Sequence, residues 1–448
     1  MKRKKWWLII VPAIGIAVYF FLFFKTYNEE QVSADADHII SIDTKRITNT
    51  VIWTYITTPK LWKPGKIFSL SDEVDWKDMV KIPDYIFVFH VKDQPLNAWY
   101  AVLEVKDETD FAKGLRRYGF VKAAGTERYI SSQTGLELIV YKKKILVGNA
   151  GIADKSMIAA VAEKILVQGQ HIQRARLQQN VDIPNHIAWI FSGNDAVKNI
   201  SGSAGFDKTG ISSVIDIILN KPTQMLQQVF SINQALPADI AFVQPPASLY
   251  NRLSDTAKTK ISSLLNFNID SLFLSNNTYY HLQVGKFISR IDTAVSYTYD
   301  ADFNPVEKKV VNNILEPSFS FDIKGPDANS IYTYWQSNKN IEQTPEGTLF
   351  TSMPLVKSYC LLSDSSRLNI RSNNYNMPSK AELTDSCLLY TSVNILSMPD
   401  SLMKFLPANI VPLLRKIAGI VIYSKQPAAG KITIEATITK QKGEEWFD

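Results

Sequence analysis

Residues 98–111 read AWYAVLEVKDETDF and combine a strand with the start of a helix. Residues 98–105 are rich in aromatic and β-branched side chains, which favour a pleated, half-buried strand. The carboxylates of Asp107 and Asp110 follow directly, where negative charge stabilises a helix N-terminus. The spacing predicts a helix that continues through Leu115. A strand followed by a helix is therefore the unit on which the fold prediction is built.

The same alternation recurs on both sides of this stretch. Residues 38–42 predict a strand, and Ile47 and Val51 begin a helical pattern behind it. Residues 85–91 predict a second strand, with His90 near its end. Farther along the chain, a strand at 294–299 is followed by a predicted helix at 305–315. We therefore expect an α+β fold with a large domain of mixed or antiparallel sheets and flanking helices.

Two similar successions of elements occur in the chain. One begins at Ala36-Asp37-His38-Ile39 and reaches a strand and helix at Asp110-Phe111, and the other begins at Ala238-Asp239-Ile240 and reaches Asp302-Phe303. Two interpretations stay open, which are two related α+β lobes or a chance match. We divide the chain into an anchor at 1–25, a tether at 26–35, a first lobe at 36–180 and a second lobe at 181–448.

The N-terminus carries a membrane signal. Lys2-Arg3-Lys4-Lys5 precedes 19 uncharged residues, 6–24, and Lys25 closes the run. These residues would span about 28 Å as a helix, close to the ~30 Å hydrocarbon core of a bilayer. The basic cluster predicts a cytoplasmic N-terminus and an exported, periplasmic or extracellular remainder. We expect an uncleaved single-pass anchor; cleavage at Ala34-Asp35-Ala36 is the alternative.

Composition excludes some classes of partner. Residues 1–25 hold five basic side chains and no acidic ones, which leaves +1 of the net charge of +6 for residues 26–448. A domain of charge +1 has little attraction for a polyanion. We therefore expect no nucleic-acid partner, and we expect the membrane, an envelope protein or an apolar ligand instead.

Catalytic and metal-binding motifs are incomplete. The tetrapeptide Asp207-Lys208-Thr209-Gly210 resembles a phosphorylation motif, but residues 199–206 before it predict a glycine- and serine-rich loop rather than the strand that this chemistry needs. No H-E-x-x-H or C-x-x-C motif occurs. We therefore expect no catalytic residue, cofactor or metal site, and partly buried structural roles for the histidines, which are His38, His90, His171, His186 and His281.

Residues 401–418 predict an amphipathic helix interrupted by Pro407 and Pro412. Such a helix can cover an apolar groove, and simple core packing is the alternative. Its apolar stripe is the candidate surface for an apolar ligand, and it consists of Leu402, Phe405, Leu406, Ile410, Leu414 and Ile417.

The two cysteines stand in matching contexts, since Cys360 and Cys387 each begin a Cys-Leu-Leu string. Outside the cytoplasm they could form a disulfide. The alternative is that they are two buried thiols that never meet.

Residues 98–107 with their helix, and residues 144–150 leading into a helix at Asp154, resemble a family of exported, membrane-anchored bacterial envelope proteins of unknown function. The resemblance covers residues 36–170 and begins with a strand at 36–43. It implies an envelope location and an α+β fold, and it assigns no functional residue.

The functional hypothesis is a membrane-anchored cell-envelope protein with a non-enzymatic binding or scaffolding role. One alternative is a tethered carrier or sensor of an apolar ligand that uses the 401–418 helix as a lid. A second alternative is an envelope hydrolase with a non-standard site.

Overall fold

The structure is a computed structural model. It describes residues 23–57, 79–123, 126–131, 135–149, 155–243, 254–265, 267–273, 278–300, 302–352, 356–372, 382–400, 407 and 410–444. The chain forms two compact units, of which the first comprises Met1–Lys208 and Ser213–Asn220 and the second Thr209–Ser212 and Lys221–Asp448.

The first unit contains short helices and antiparallel strands. Its helices are α1 (Thr44–Thr57), α2 (Glu108–Arg117), α3 (Lys155–Ala162), which continues as a π-helical turn at Glu163–Val167, and α4 (Arg174–Val181). Its strands are β1 (Ala36–Asp43), β2 (Val80–Lys81), β3 (Tyr85–Val91), β4 (Tyr100–Val105), β5 (Phe120–Lys122), β6 (Arg128–Ser131), β7 (Leu136–Tyr141), β8 (Lys144–Asn149), β9 (Ile187–Ser192) and β10 (Val197–Phe206), while β11 (Gly210–Leu219) crosses the boundary between the units.

Hydrogen-bonded neighbours in the first unit follow the order β10-β9-β1-β3-β4-β8-β7-β6-β5, and every pair is antiparallel. The largest apolar cluster of the unit packs Phe87, Phe89 and Tyr100 of the sheet against Ile158 and Leu177 of the helices. Burial of such side chains stabilises the unit by roughly 1.5–3 kcal/mol each. β1 thus lies inside the sheet, with β3 on one side and β9 on the other.

The second unit is also antiparallel. Its helices are α5 (Asp255–Leu265), α6 (Ala328–Ser337) and α7 (Val411–Leu414), with single 3₁₀ turns at Ile269–Leu272 and Ile395–Ser397. Its strands are β12 (Ser231–Ile232), β13 (Ala238–Val243), β14 (Tyr279–Tyr299), β15 (Pro305–Lys324), β16 (Ile341–Thr344), β17 (Gly347–Phe350), β18 (Ser358–Asp364), β19 (Arg367–Ser372), β20 (Glu382–Leu383), β21 (Leu389–Asn394), β22 (Ile417–Ala428) and β23 (Lys431–Lys440).

Both units share one strand order. In the second unit the order is β23-β22-β21-β13-β14-β15-β19-β18-β17-β16. From β22 onward each strand takes the place of one strand in the first unit, with β13 in the place of β1 and β14 in the place of β3. A helix follows the next strand in both, α2 after β4 and α6 after β15. The two units can therefore be compared position by position.

The predicted α+β class is wrong, because strands account for 48% and helices for 23% of the described residues. Residues 305–315, predicted as a helix, belong to β15 and pair with β14. Val306 and Val310 recur at helical spacing, but β-branched side chains favour a strand. Residues 199–206, predicted as a loop, belong to β10, where small side chains leave room for close neighbours such as Trp189 beside Gly202.

Within the described residues no helix is long and apolar enough to cross a bilayer. The predicted transmembrane anchor, and the membrane-anchored, exported localisation predicted with it, are corrected accordingly: the described residues contain no such helix. Residues 1–22, which hold most of the predicted span, lie outside the described part of the chain.

Candidate metal centre

A β-bulge at the start of β1 creates the site. Ala36 lies opposite Val91, and His38 lies opposite His90, so Asp37 is an extra residue with no partner in the register. Successive side chains of a regular strand point to opposite faces, but a bulge redirects one of them. As a result, one ligand atom from each of Asp37, His38 and His90 lies within 4.8 Å of the others.

His90 is held on both sides of its buried ring. Its Nε2 lies 3.2 Å from the carbonyl oxygen of Gln94 and 3.1 Å from that of Pro95, so this nitrogen carries the hydrogen and donates it. Its Nδ1 lies 2.7 Å from Oδ1 of Asp37. Two lone pairs cannot face each other at that distance without repulsion, so either a proton lies between them or a metal ion bound beside both atoms replaces it.

The second histidine offers a free ligand atom. Nδ1 of His38 is buried, has no hydrogen-bond partner among the described residues, and lies 3.8 Å from Oδ1 of Asp37. The side chains of His38 and Asp37 are 15% and 21% exposed, so an ion can reach the cluster from solvent. The Asp37 backbone is also fixed, because the Ser192 hydroxyl donates a 2.8 Å hydrogen bond to its carbonyl.

Aromatic rings hold the two imidazoles in place. The rings of His38 and His90 stack with centroids 5.1 Å apart. Phe191, directly opposite His38 on β9, lies 5.3 Å from it, and Trp99 lies 5.8 Å from His90. The Trp99 indole N–H donates a 2.9 Å hydrogen bond to the carbonyl oxygen of Leu96. These rings pack against the imidazoles and contribute no acid or base.

The donor set fits a transition metal. Two imidazole nitrogens and one carboxylate suit Zn²⁺, Cu²⁺, Ni²⁺ or Fe²⁺. A metal-bound imidazole commonly donates its other N–H to a backbone carbonyl, which is the arrangement of His90. Three protein ligands leave at least one coordination position open for water or another ligand.

The second unit places a related pair at the matching strands. Oδ1 of Asp239, on β13, lies 2.7 Å from Nε2 of His281 on β14. Oδ2 of Asp239 accepts from the Asn233 backbone N–H at 2.7 Å and from the Gln283 amide at 3.1 Å. Asp239 is fully buried, and Ile240 stands where the first unit has His38. This carboxylate is occupied by protein donors, so its role is structural.

The residues of the predicted apolar stripe do not lie together on one helix. Leu402, Phe405 and Leu406 lie outside the described residues. Ile410 is exposed just before α7 and Leu414 ends that helix, whereas Ile417 is buried at the start of β22. The predicted helix therefore does not continue to residue 418, and its role as an apolar-ligand surface stays a prediction.

Cys360 and Cys387 are buried, free cysteines. Cys360 packs in the apolar cluster of Trp335 and Phe350, and Cys387 packs in a different cluster with Phe230. Burial raises the pKa of the Cys360 thiol to about 12. This thiol is therefore protonated and unreactive at neutral pH.

Sequence reasoning missed the grouping of Asp37, His38 and His90 for two reasons. His38 and His90 lie 52 positions apart and meet through strand pairing. Asp37 and His38 are adjacent, and adjacent residues of a regular strand point apart. The available signal was an Asp-His pair at the start of one predicted strand and a histidine near the end of the next.

No protein-family model and no curated protein matches this chain. Among solved structures, crystal form III of TP0453 aligns with a TM-score of 0.28 and 9% identity, over 54% of this chain and 88% of that chain. Crystal form I of TP0453 aligns with the same score and identity, over 55% and 87%. A likeness of this size carries no argument about the fold or function of this chain.

Proposed function

We propose that this chain is a non-enzymatic binding protein for a divalent transition-metal ion. Asp37, His38 and His90 supply the ligands. The observation that carries the proposal is the geometry of His90, whose Nε2 is committed to backbone carbonyls while its Nδ1 faces a carboxylate oxygen at 2.7 Å. The unpartnered Nδ1 of His38 beside them supports an ion rather than a proton alone.

Binding, rather than catalysis, is what the surroundings support. Trp99 and Phe191 pack around the imidazoles and cannot transfer protons. General acid–base chemistry needs a titratable group within hydrogen-bond reach of a reacting atom. The three titratable groups of the cluster are all engaged as ligands when an ion is bound.

The test is calorimetric titration of the full, chelator-treated chain with Zn²⁺, and with Co²⁺ followed by its visible spectrum. We expect one ion per chain, with release of a proton that shows as a buffer-dependent enthalpy. His38→Ile introduces the residue that the second unit has at the matching position, and it should weaken binding by about 100-fold. Mutation of a residue that only supports a metal ligand typically lowers metal affinity by roughly 10–100-fold, so loss of a ligand should cost at least as much.

His281→Gln is the matched control, because it alters the histidine of the second unit, and it should leave the affinity unchanged. Absence of binding to the wild-type chain would overturn the proposal and leave a proton between Asp37 and His90. Equal affinity in wild type and His38→Ile would place the ion elsewhere.

A further inference from the structure

A long β-ribbon projects from the sheet of the second unit. β13 pairs with β14 as far as Val284, and β15 pairs with β19 from Ser320 onward. Between these points, β14 and β15 pair with each other alone among the described strands, from Phe287 opposite Pro317 to Tyr299 opposite Pro305. At ~3.4 Å per residue this ribbon, which we term the arm (residues 287–317), extends about 44 Å.

One face of the arm is apolar and exposed. Residues that alternate along a strand, or lie directly opposite on its partner, share a face. The register places on the same face six large apolar side chains that are 39–69% exposed, namely Ile291, Val295, Tyr297, Tyr299, Val311 and Leu315.

The other face is more polar near the tip. It carries Ser296, Thr298 and Lys308, with Val306 among them. A two-stranded ribbon by itself is marginally stable in water. A contiguous exposed apolar stripe on such a ribbon indicates a binding surface.

We propose that this apolar face packs against the same face of a second copy of this chain, in a two-fold symmetric dimer. This proposal is independent of metal binding. A two-fold interface must be self-complementary. Glu307 lies opposite Tyr297 and Lys309 lies opposite Val295, so the apolar face carries two opposite charges two residues apart on one strand.

A two-fold axis that crosses the arm midway between Glu307 and Lys309 places each Glu307 beside Lys309 of the second copy. The two ribbons then run antiparallel and bring the tip halves of their apolar faces together, with Tyr297 facing Val295 of the second copy. The charges therefore specify the alignment, and like charges at other alignments oppose it.

The available area supports a weak dimer. With the axis between Glu307 and Lys309, the overlap of the two arms covers residues 293–299 and 305–311, so Val295, Tyr297, Tyr299 and Val311 are covered, whereas Ile291 and Leu315 lie beyond the tip of the second arm. An aromatic side chain buries ~150–250 Å² in full, so these four side chains at their exposures bury on the order of 400 Å² per copy. The pair then buries roughly 800 Å², in the range of weak, transient contacts. We therefore expect a dimer that dissociates on dilution.

The experiment is sedimentation equilibrium of the full chain over a range of concentrations. We expect a monomer–dimer equilibrium, and we expect Val295→Asp or Tyr297→Asp to raise the dissociation constant at least about tenfold, whereas Ile291→Asp, on the same face but outside the overlap, should have little effect. Thr298→Asp adds the same charge to the opposite face and serves as the control with little effect. Circular dichroism confirms that each variant folds.

The charge pair gives a second test that does not disturb the apolar stripe. Lys309→Glu should weaken the dimer, and the double change Glu307→Lys with Lys309→Glu should restore it. A wild-type chain that stays monomeric at every concentration overturns the proposal. A dimer that Val295→Asp and Tyr297→Asp leave intact also overturns it, and assigns the contact to another surface.

Discussion

Each unit places an aspartate at the second position of one strand, β1 or β13, and a histidine on the neighbouring strand, β3 or β14. The two units use this pair differently. In the first unit Asp37 is the extra residue of a bulge, and it meets both His38 and His90. In the second unit β13 pairs regularly, and Asp239 meets His281, Gln283 and a backbone N–H.

The difference shows what turns a structural pair into a candidate site. A regular strand sends the residue after the aspartate to the opposite face, as the register of Ile240 against Leu282 shows. The bulge brings the next residue, His38, to the same side as Asp37. A single inserted residue thus adds a third ligand and leaves the carboxylate available.

The largest expected contrast is in stability. Asp239→Ala removes the acceptor that the His281 ring, the Gln283 amide and the Asn233 backbone N–H share around a fully buried carboxylate, and we expect a loss of about 3 kcal/mol or more, at ~1–3 kcal/mol for each hydrogen bond lost at a buried site. Asp37→Ala should cost about 1 kcal/mol in the metal-free chain, because Asp37 is partly exposed. Urea unfolding of both variants measures this, and equal losses would show that the two aspartates have the same structural role.

A smaller contrast concerns pH. His186 immediately precedes β9 of the first unit, with Nδ1 accepting from the Phe206 N–H at 3.2 Å and Nε2 lying 2.8 Å from the Thr50 hydroxyl. Burial, and then the charge of Arg46, lower its pKa, with Lys25 acting in the same direction and Asp43 and Asp207 opposing. The folded state therefore resists protonation more than the unfolded state does.

The free energy of unfolding of the first unit should accordingly fall as pH drops through ~6.5, the ordinary histidine value, toward the lowered pKa. Hydrogen exchange of β9 and β10 at about pH 7.5 and about pH 5.5 measures the loss. His171 has a pKa lowered in the same direction by burial, so His186→Gln should remove part of the dependence and leave a remainder. Unchanged protection in β9 and β10 at the lower pH would contradict this account.

The smallest expected effect is a null result. Ile240→His gives the second unit the same Asp-His sequence as the first, but without the bulge its side chain points away from Asp239. Titration with Zn²⁺ should still find one ion per chain. Two ions would show that sequence alone, without the bulge, creates the site.

Local rules determined several elements of this protein from the sequence by itself. The helix start at Asp107 was readable because its side chain accepts from the backbone N–H groups of Thr109 and Asp110, an interaction within one turn. The strand at 85–91 was readable from its aromatic and β-branched residues, and it coincides with β3.

Tertiary structure alone decided the rest. Residues 305–315 become a strand because β14 offers a partner along their whole length, which helical spacing in a single segment cannot reveal. The candidate metal ligands meet because β1 and β3 pair with a bulge at Asp37, and register is set by contacts between distant segments. A one-residue shift in that register would move His38 to the opposite face, so the site exists only in the folded sheet.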